Sequence, residues 1–185
     1  WLAEADEKEQ VVRMVTSLSD FFRTTLSKGR DHVSLRDEET HIKSYLQIQQ
    51  FRYRDILEYE IRIPEELHDC RILKLTLQPL VENSLYHGLK NKRRLGHILV
   101  SAERSGDKVV LRVYDDGKGL TAERLAYVRK LIRGELEEYD SPSGFGLFNV
   151  EQRIRLNYGT SYGIELNSVY GEWTEVTVTI PVVKK

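Results

Sequence analysis

The sequence predicts an α/β fold: a two-layer sandwich in which helices cover a mixed, mostly antiparallel sheet, preceded by an N-terminal helix. Three observations predict it. The chain opens on a long stretch without Gly or Pro whose apolar residues recur at helical spacing; segments of two-residue alternation follow; and amphipathic stretches of helical period lie between them.

Taken in order, residues 4–27 form the first predicted helix, with Val11, Val15, Leu18 and Phe22 spaced four and three apart, the period of a helix seam. Such a stripe wants a partner, either its own domain or a second copy of the helix. Lys28-Gly29-Arg30-Asp31 interrupts it, and Ser34 followed three positions later by Asp37 resembles a capping box opening a second helix through about residue 54. Residues 57–63 alternate strictly between apolar and charged, as a half-buried strand does, and Pro64 ends the run. A third helix is expected over 75–86. Residues 97–104 and 108–114 read as strands joined by Ser105-Gly106-Asp107, an antiparallel hairpin. Residues 121–133 are helical again, 134–146 are acidic and interrupted by Pro142, and 147–158 make the last helix. Strands over 162–169 and 174–180 close the chain.

Bulk properties narrow the class. A length of 185 residues suits one domain, and 40% hydrophobic with 31% charged residues is ordinary globular composition. Twenty-eight basic against 29 acidic side chains leave a net charge of −1, so nothing points to nucleic acid. Cys70 is the single cysteine; it has no partner for a disulfide or a redox pair, which fits a reducing cytosolic setting and a place in the core. No apolar run reaches the ~18–20 residues of a membrane span, the first ten residues are too acidic for a signal peptide, and a soluble chain is expected. The absence of an initiator Met and the start inside an amphipathic pattern suggest a piece of a longer protein.

Three short stretches carry chemistry. Pro79-Leu80-Val81-Glu82-Asn83-Ser84-Leu85-Tyr86-His87-Gly88 puts Asn83 and His87 four apart, on one face of a helix, with Glu82 beside them. Val113-Tyr114-Asp115-Asp116-Gly117-Lys118-Gly119 runs a strand into Asp-x-Gly-x-Gly, where a fixed carboxylate can accept from an exocyclic amine and glycines let backbone approach a flat ring. Ser143-Gly144-Phe145-Gly146-Leu147 opens the last helix, whose N-terminal N–H groups and dipole suit phosphate oxygens. Each alone has a plain reading: a satisfied helix end, a tight turn, a hinge. There is no Walker-type loop and no Gly-x-Gly-x-x-Gly.

In this order and at these intervals, the three stretches resemble the nucleotide site of the GHKL ATPase and kinase superfamily, with its Bergerat-type ATP-binding fold. The closer resemblance is to LytS-type sensor histidine kinases. It is carried by Ser19-Asp20-Phe21-Phe22-Arg23, by the run from Glu38 through His41, Tyr45 and Gln49, by Leu77-Gln78-Pro79-Leu80-Val81-Glu82-Asn83, and by Gly144-Phe145-Gly146-Leu147-Phe148-Asn149-Val150. The resemblance implies that residues 1–28 are the second helix of a dimerisation and phosphoacceptor region and 29–185 the ATP-binding catalytic domain. It implies ATP and Mg2+ as cofactors: Asn83 would hold the metal with Glu82 in support, and His87 would lie near the phosphates. Asp115 would receive the adenine amino group, Gly117 and Gly119 would shape the base pocket, and Gly144, Phe145, Gly146 and Leu147 would cover the phosphates. Thr174 would add a contact behind the adenine, and residues 135–143 would form a lid.

Two departures from the family pattern matter. Position 86 is Tyr where the family commonly has a phosphate-binding lysine, leaving His87, Lys90 or Lys118 to supply charge. The Asn-Pro-His-Phe setting of the family's phosphoacceptor histidine is absent; His32, His41, His68 and His97 read as structural, and His87 as a ligand contact. Pro79 stands four residues before Asn83, where hydrolysing relatives place a water-activating Glu, which favours a kinase over an ATPase. The expected partners are the missing phosphoacceptor helix, a second copy in a homodimer, and a response regulator; the expected setting is the cytoplasmic part of a membrane-bound sensor. The competing readings are a catalytically weak nucleotide-sensing or dimer-scaffold module, and a serine kinase of the anti-sigma type.

Overall fold

A computed structural model describes residues 7–26, 31–53, 56–89, 95–136 and 144–183. The first helix, α1 (Lys8–Leu26), lies against α2 (Leu35–Arg52). Between them, β1 (His32–Ser34) leads straight into the predicted capping box: Asp37 N–H donates to Ser34 Oγ at 3.1 Å, and the Ser34 N–H donates to Asp37 Oδ2 at 3.3 Å. Then come β2 (Leu57–Arg62), a single 3-10 turn at Glu65–Leu67, and β3 (Arg71–Leu73), which pairs antiparallel with β1. The short β1 and β3 have too few residues to show an alternation, so the sequence pattern does not reveal them.

The main sheet adds β4 (Gly96–Ser105), β5 (Lys108–Asp115), β6 (Gly163–Val169) and β7 (Trp173–Pro181), in the order β2-β4-β5-β7-β6. Among the described residues β2 pairs parallel with β4, and β4, β5, β7 and β6 pair antiparallel in turn, as expected for a mixed, mostly antiparallel sheet. Side-chain alternation sends Ile98, Val100, Leu111, Val113, Val176 and Val178 to one face, each completely buried. On that face lie α2, α3 (Leu77–Asn83), α4 (Ala122–Arg133) and α5 (Phe145–Tyr158), which bury Ile42, Leu46, Leu80, Val81, Leu131 and Ile154. Each such side chain contributes roughly 1.5–3 kcal/mol of transfer free energy. The other face carries polar and aromatic pairs such as Arg112 with Glu103 and Tyr114 stacked on Trp173. Cys70 is in the core, 1% exposed.

Further differences from the sequence reading concern α3 and α1, and α5 begins at Phe145, two residues earlier than expected. The third helix begins at Leu77 rather than 75, because Leu75 adopts φ 58°. Its opening N–H groups are capped from another helix: buried Glu38 accepts from Leu75 N at 3.1 Å and from Leu77 N at 2.8 Å. Pro79 falls within the first turn, where a missing N–H costs nothing. Beyond Asn83 the helix widens into a π-helical turn, Ser84–Leu89.

The stripe on α1 divides. The helix docks through Ser17, whose hydroxyl donates to Gln47 Oε1 at 2.9 Å, and through Phe21, whose ring stacks on His41 at 4.7 Å. Val15, Leu18 and Phe22 of the predicted seam instead stand 43–61% exposed, in one row with Val12 and Leu26. No helix among the described residues is long and apolar enough to cross a membrane.

Candidate functional site

The alternation of β5 that buries Val109, Leu111 and Val113 also turns Asp115 inward, at 0% exposure. On β7 the same period ends the row Ile180, Val178, Val176 at Thr174, and the register pairs Asp115 with Thr174. Two apolar rows thus finish side by side on a carboxyl and a hydroxyl. The neighbouring Asp116 faces the other way and accepts the His97 N–H at 2.7 Å, so strand geometry distinguishes the two acids.

Asp115 Oδ1 accepts the Gly117 N–H at 3.0 Å. A Cβ at Gly117 or at Gly88 would run into the Asp115 carboxyl, so both positions must be glycine for it to fit. The Lys118 N–H donates to Gly88 O at 3.2 Å, tying the strand end to the π-helical turn. Thr174 is held by Ser168 Oγ, 3.0 Å away; that oxygen also accepts the Leu120 N–H at 2.9 Å and donates to Trp173 O at 2.7 Å.

Above this floor opens a cavity of about 310 Å³. Leu120, Val128, Leu147 and Leu166 form apolar walls, Thr174 lies at the base, and Asn83, His87, Lys118 and Arg124 contribute polar groups. A second hollow of about 180 Å³ adjoins it between α3 and α5, bounded by Pro79, Glu82, Tyr86 and Gly146 and sharing Asn83, His87, Gly144 and Leu147. Burial pushes the His87 pKa down, and positive Lys118 and Arg124 push it further, so the imidazole is neutral at pH 7 beside two cations. Gly144, at φ 105°, precedes α5 in a conformation open chiefly to glycine, and a Cβ added there would crowd Leu131.

Of the residues singled out in the sequence, Asn83, His87, Gly119, Gly144, Leu147 and Thr174 line the larger cavity, and Glu82 and Gly146 the smaller. Asp115 and Gly117 line neither hollow; they form the buried strand end beside Thr174. Phe145 begins α5 and bounds neither hollow. Lys90, residues 137–143 of the proposed lid and the 28/29 boundary lie outside the described residues. Sequence reasoning overlooked Gly88, Arg124, Val128, Leu166 and Tyr170. Gly88 sits at the end of a quoted motif and was within reach; the others arrive only through the packing of α4 on α5 and β6 and through the turn after β6.

This arrangement suits a flat heterocycle with an anionic tail: a hydroxyl with a buried carboxyl beside it, an apolar slot around, and cations and an amide along the lining. The same fold occurs in the histidine kinase domain of the Erythrobacter litoralis EL346 blue-light activated histidine kinase. The TM-score is 0.60 at 13% identity, over 94% of this chain and 75% of that one. It occurs again in the catalytic domain of histidine kinase ThkA, with TM-score 0.60 at 16% identity over 83% and 97%.

A family model described as histidine kinase-, DNA gyrase B-, and HSP90-like ATPase matches residues 68–184, and one described as histidine kinase matches 1–57. The chain belongs to that ATPase family, in its sensor histidine kinase branch, as the resemblance to LytS-type kinases implied. Sensor histidine kinase YesM of Bacillus subtilis is 32% identical over 181 residues, 98% of this chain and 29% of the relative. Sensor histidine kinase BtsS of Escherichia coli is 31% identical over 175 residues, 95% and 28%. Sensor protein LytS of Staphylococcus saprophyticus is 28% identical over 176 residues, 95% and 29%. The chain therefore spans under a third of the length of these relatives.

Proposed function

We propose that residues 29–185 bind ATP with Mg2+ and present its γ-phosphoryl group to a histidine on a helix outside this sequence, as the catalytic half of a sensor histidine kinase. The observation that carries this reading is a cavity lined by Thr174, Asn83, His87, Lys118 and Arg124, with the fully buried Asp115 carboxyl next to Thr174 in the β5–β7 register. Asp115 accepts the adenine 6-amino group, and Thr174 contacts the ring edge beside it. Leu120, Val128, Leu147 and Leu166 exclude water from the base. Lys118 and Arg124 attract the phosphate chain, offsetting the phenol at position 86, which brings no charge to the smaller hollow.

The residues present fit a magnesium ion. The Asn83 amide oxygen and the Glu82 carboxylate are hard donors on the same hollow, and no cluster of three or more His, Cys, Asp or Glu side chains gathers among the described residues, so the remaining ligands would be phosphate oxygens and water. When bound, the ion would neutralise phosphate charge. The chain's own part is positioning, and Pro79 offers no base for activating water. The acceptor histidine comes from the dimerisation region, a response regulator takes the phosphoryl group onward, and the whole works on the cytoplasmic side of a membrane sensor.

Calorimetric titration with a non-hydrolysable ATP analogue tests the reading. Asp115→Asn turns an acceptor into a donor against the amine and is expected to weaken binding roughly tenfold to a hundredfold; an unchanged affinity overturns the site. Joining the chain to an upstream phosphoacceptor helix and measuring acid-labile phosphate tests transfer. The uncharged Tyr86 favours one second reading, a nucleotide sensor without catalysis. Binding without any labelling of the restored protein would select it.

A further inference from the structure

Away from the cavity, a line of hydrogen bonds crosses three helices and ends on Glu82. Thr24 Oγ1 on α1 lies 2.7 Å from His41 Nδ1 on α2, and His41 Nε2 lies 2.7 Å from Gln78 Oε1 on α3. Gln78 Nε2 donates to Glu82 Oε1 at 2.8 Å, and Glu82 precedes Asn83 on the smaller hollow.

The carboxylate end sets the direction of this line. An ionised carboxylate only accepts, so Gln78 gives its nitrogen to Glu82 and turns its oxygen to His41. His41 Nε2 must then carry a proton. The ring is 2% exposed. Burial lowers its pKa most, the Gln78 contact opposes that, and more distant Lys74 and Glu82 act in opposite senses. A neutral ring with Nε2–H leaves Nδ1 to accept the Thr24 hydroxyl. Every donor then points from α1 towards Glu82, the arrangement in which successive hydrogen bonds polarise one another.

Helix α1 grips this imidazole twice, by Thr24 at its edge and by Phe21 stacked on its face at 4.7 Å. The Thr24 hydroxyl also has a home on its own helix, with Asp20 O at 2.9 Å and Phe21 O at 3.0 Å. If α1 shifts, the hydroxyl turns back to those carbonyls and Nδ1 loses its donor. The line therefore has two discrete arrangements, selected by how α1 is seated.

We propose that His41 and Gln78 are positioning residues that couple the seating of α1 to the orientation of Glu82, beside Asn83 at the proposed metal-binding end of the site. This rests on the nucleotide reading above. With α1 seated, Gln78 is held from both sides and fixes one Glu82 oxygen, leaving the other for the hollow. With α1 displaced, Gln78 and Glu82 are free to reorient, and the support beside Asn83 is lost.

The test uses the 185-residue chain, 15N NMR of the histidine ring nitrogens, and calorimetry with a non-hydrolysable ATP analogue, with and without Mg2+. In the wild type, saturation with analogue and Mg2+ is expected to move the His41 ring resonances. Thr24→Val keeps the shape of the side chain and removes the donor. It should abolish the Nδ1 response and lower the Mg2+-dependent part of the affinity roughly threefold to tenfold, with Mg2+-free affinity unchanged; Thr24→Ser should restore both. Two results overturn the coupling alone: a wild type that binds while His41 stays unmoved, or a Thr24→Val variant that loses both affinities by one factor. A wild type that binds no analogue at all overturns the nucleotide reading and the coupling with it.

Discussion

The Asp115 carboxyl occupies a hole that two glycines keep open, and this ties Gly88 as closely to the proposed site as the acid itself. Ala at position 88 drives a methyl group into the carboxyl. We expect Gly88→Ala to cost about 1–3 kcal/mol by overpacking, read as a lower denaturation midpoint, and to weaken binding of the ATP analogue. Gly106→Ala is the matched control. It sits at φ 64° in the β4–β5 turn, where an added methyl meets open space. Its cost is the positive-φ penalty of about 1–2 kcal/mol, with nucleotide affinity unchanged. The quoted motifs made Asp115 and Gly117 legible as chemistry; the need for glycine at 88 appears only when the π-helical turn is laid against the strand end.

At the scale of the element, the start of α3 depends on a group borrowed from α2. Burial raises the Glu38 pKa from 4.5 to about 7, against the lowering by the N–H groups of Leu77, Leu75 and Thr76 and by Arg153. The native state therefore holds this proton more tightly than the unfolded chain. The sign follows: stability contributed by the protonated form is full below about pH 4.5, declines as pH rises to about 7, and is level above. The span is roughly 3 kcal/mol. His41, whose pKa burial lowers, acts oppositely and loses stability as pH falls through its unfolded value of 6.5. Comparison with Glu38→Gln cancels that background. Denaturant unfolding between pH 5 and 8 should show the wild type losing stability with rising pH relative to the variant; parallel curves would reject the assignment. The capping box at Ser34 was readable because it is local. The cap on α3 was not, because its donor and acceptor stand 37 and 39 residues apart.

At the scale of the whole molecule, α1 serves two surfaces. One is spent against α2 through Ser17 and Phe21, and the other leaves Val12, Val15, Leu18, Phe22 and Leu26 in a row. If that row is the dimer seam of the proposed kinase, Phe22→Glu should convert a concentration-dependent dimer into a monomer in sedimentation velocity without lowering the unfolding midpoint. A wild type that is monomeric at high concentration would remove this face from the dimer. Because α1 also holds His41, the variant offers a separate check on whether dimer seating reaches the proposed nucleotide site.

The sequence by itself determined the class of fold and the elements that carry their own periodicity, and it supplied the candidate residues of the site, since alternation, capping and glycine-bearing turns are local consequences of side-chain geometry. The N-terminal helix, the hairpin at Gly106 and the strand ending at Asp115 were readable on those grounds. Tertiary structure alone decided the parallel pairing of β2 with β4, the π-helical widening that brings Gly88 under Asp115, and the convergence of Lys118 and Arg124 on His87. It also decided which face of α1 is buried. Each of these depends on contacts between segments distant along the chain, where burial and close packing outweigh local preference and no short pattern of residues records the outcome.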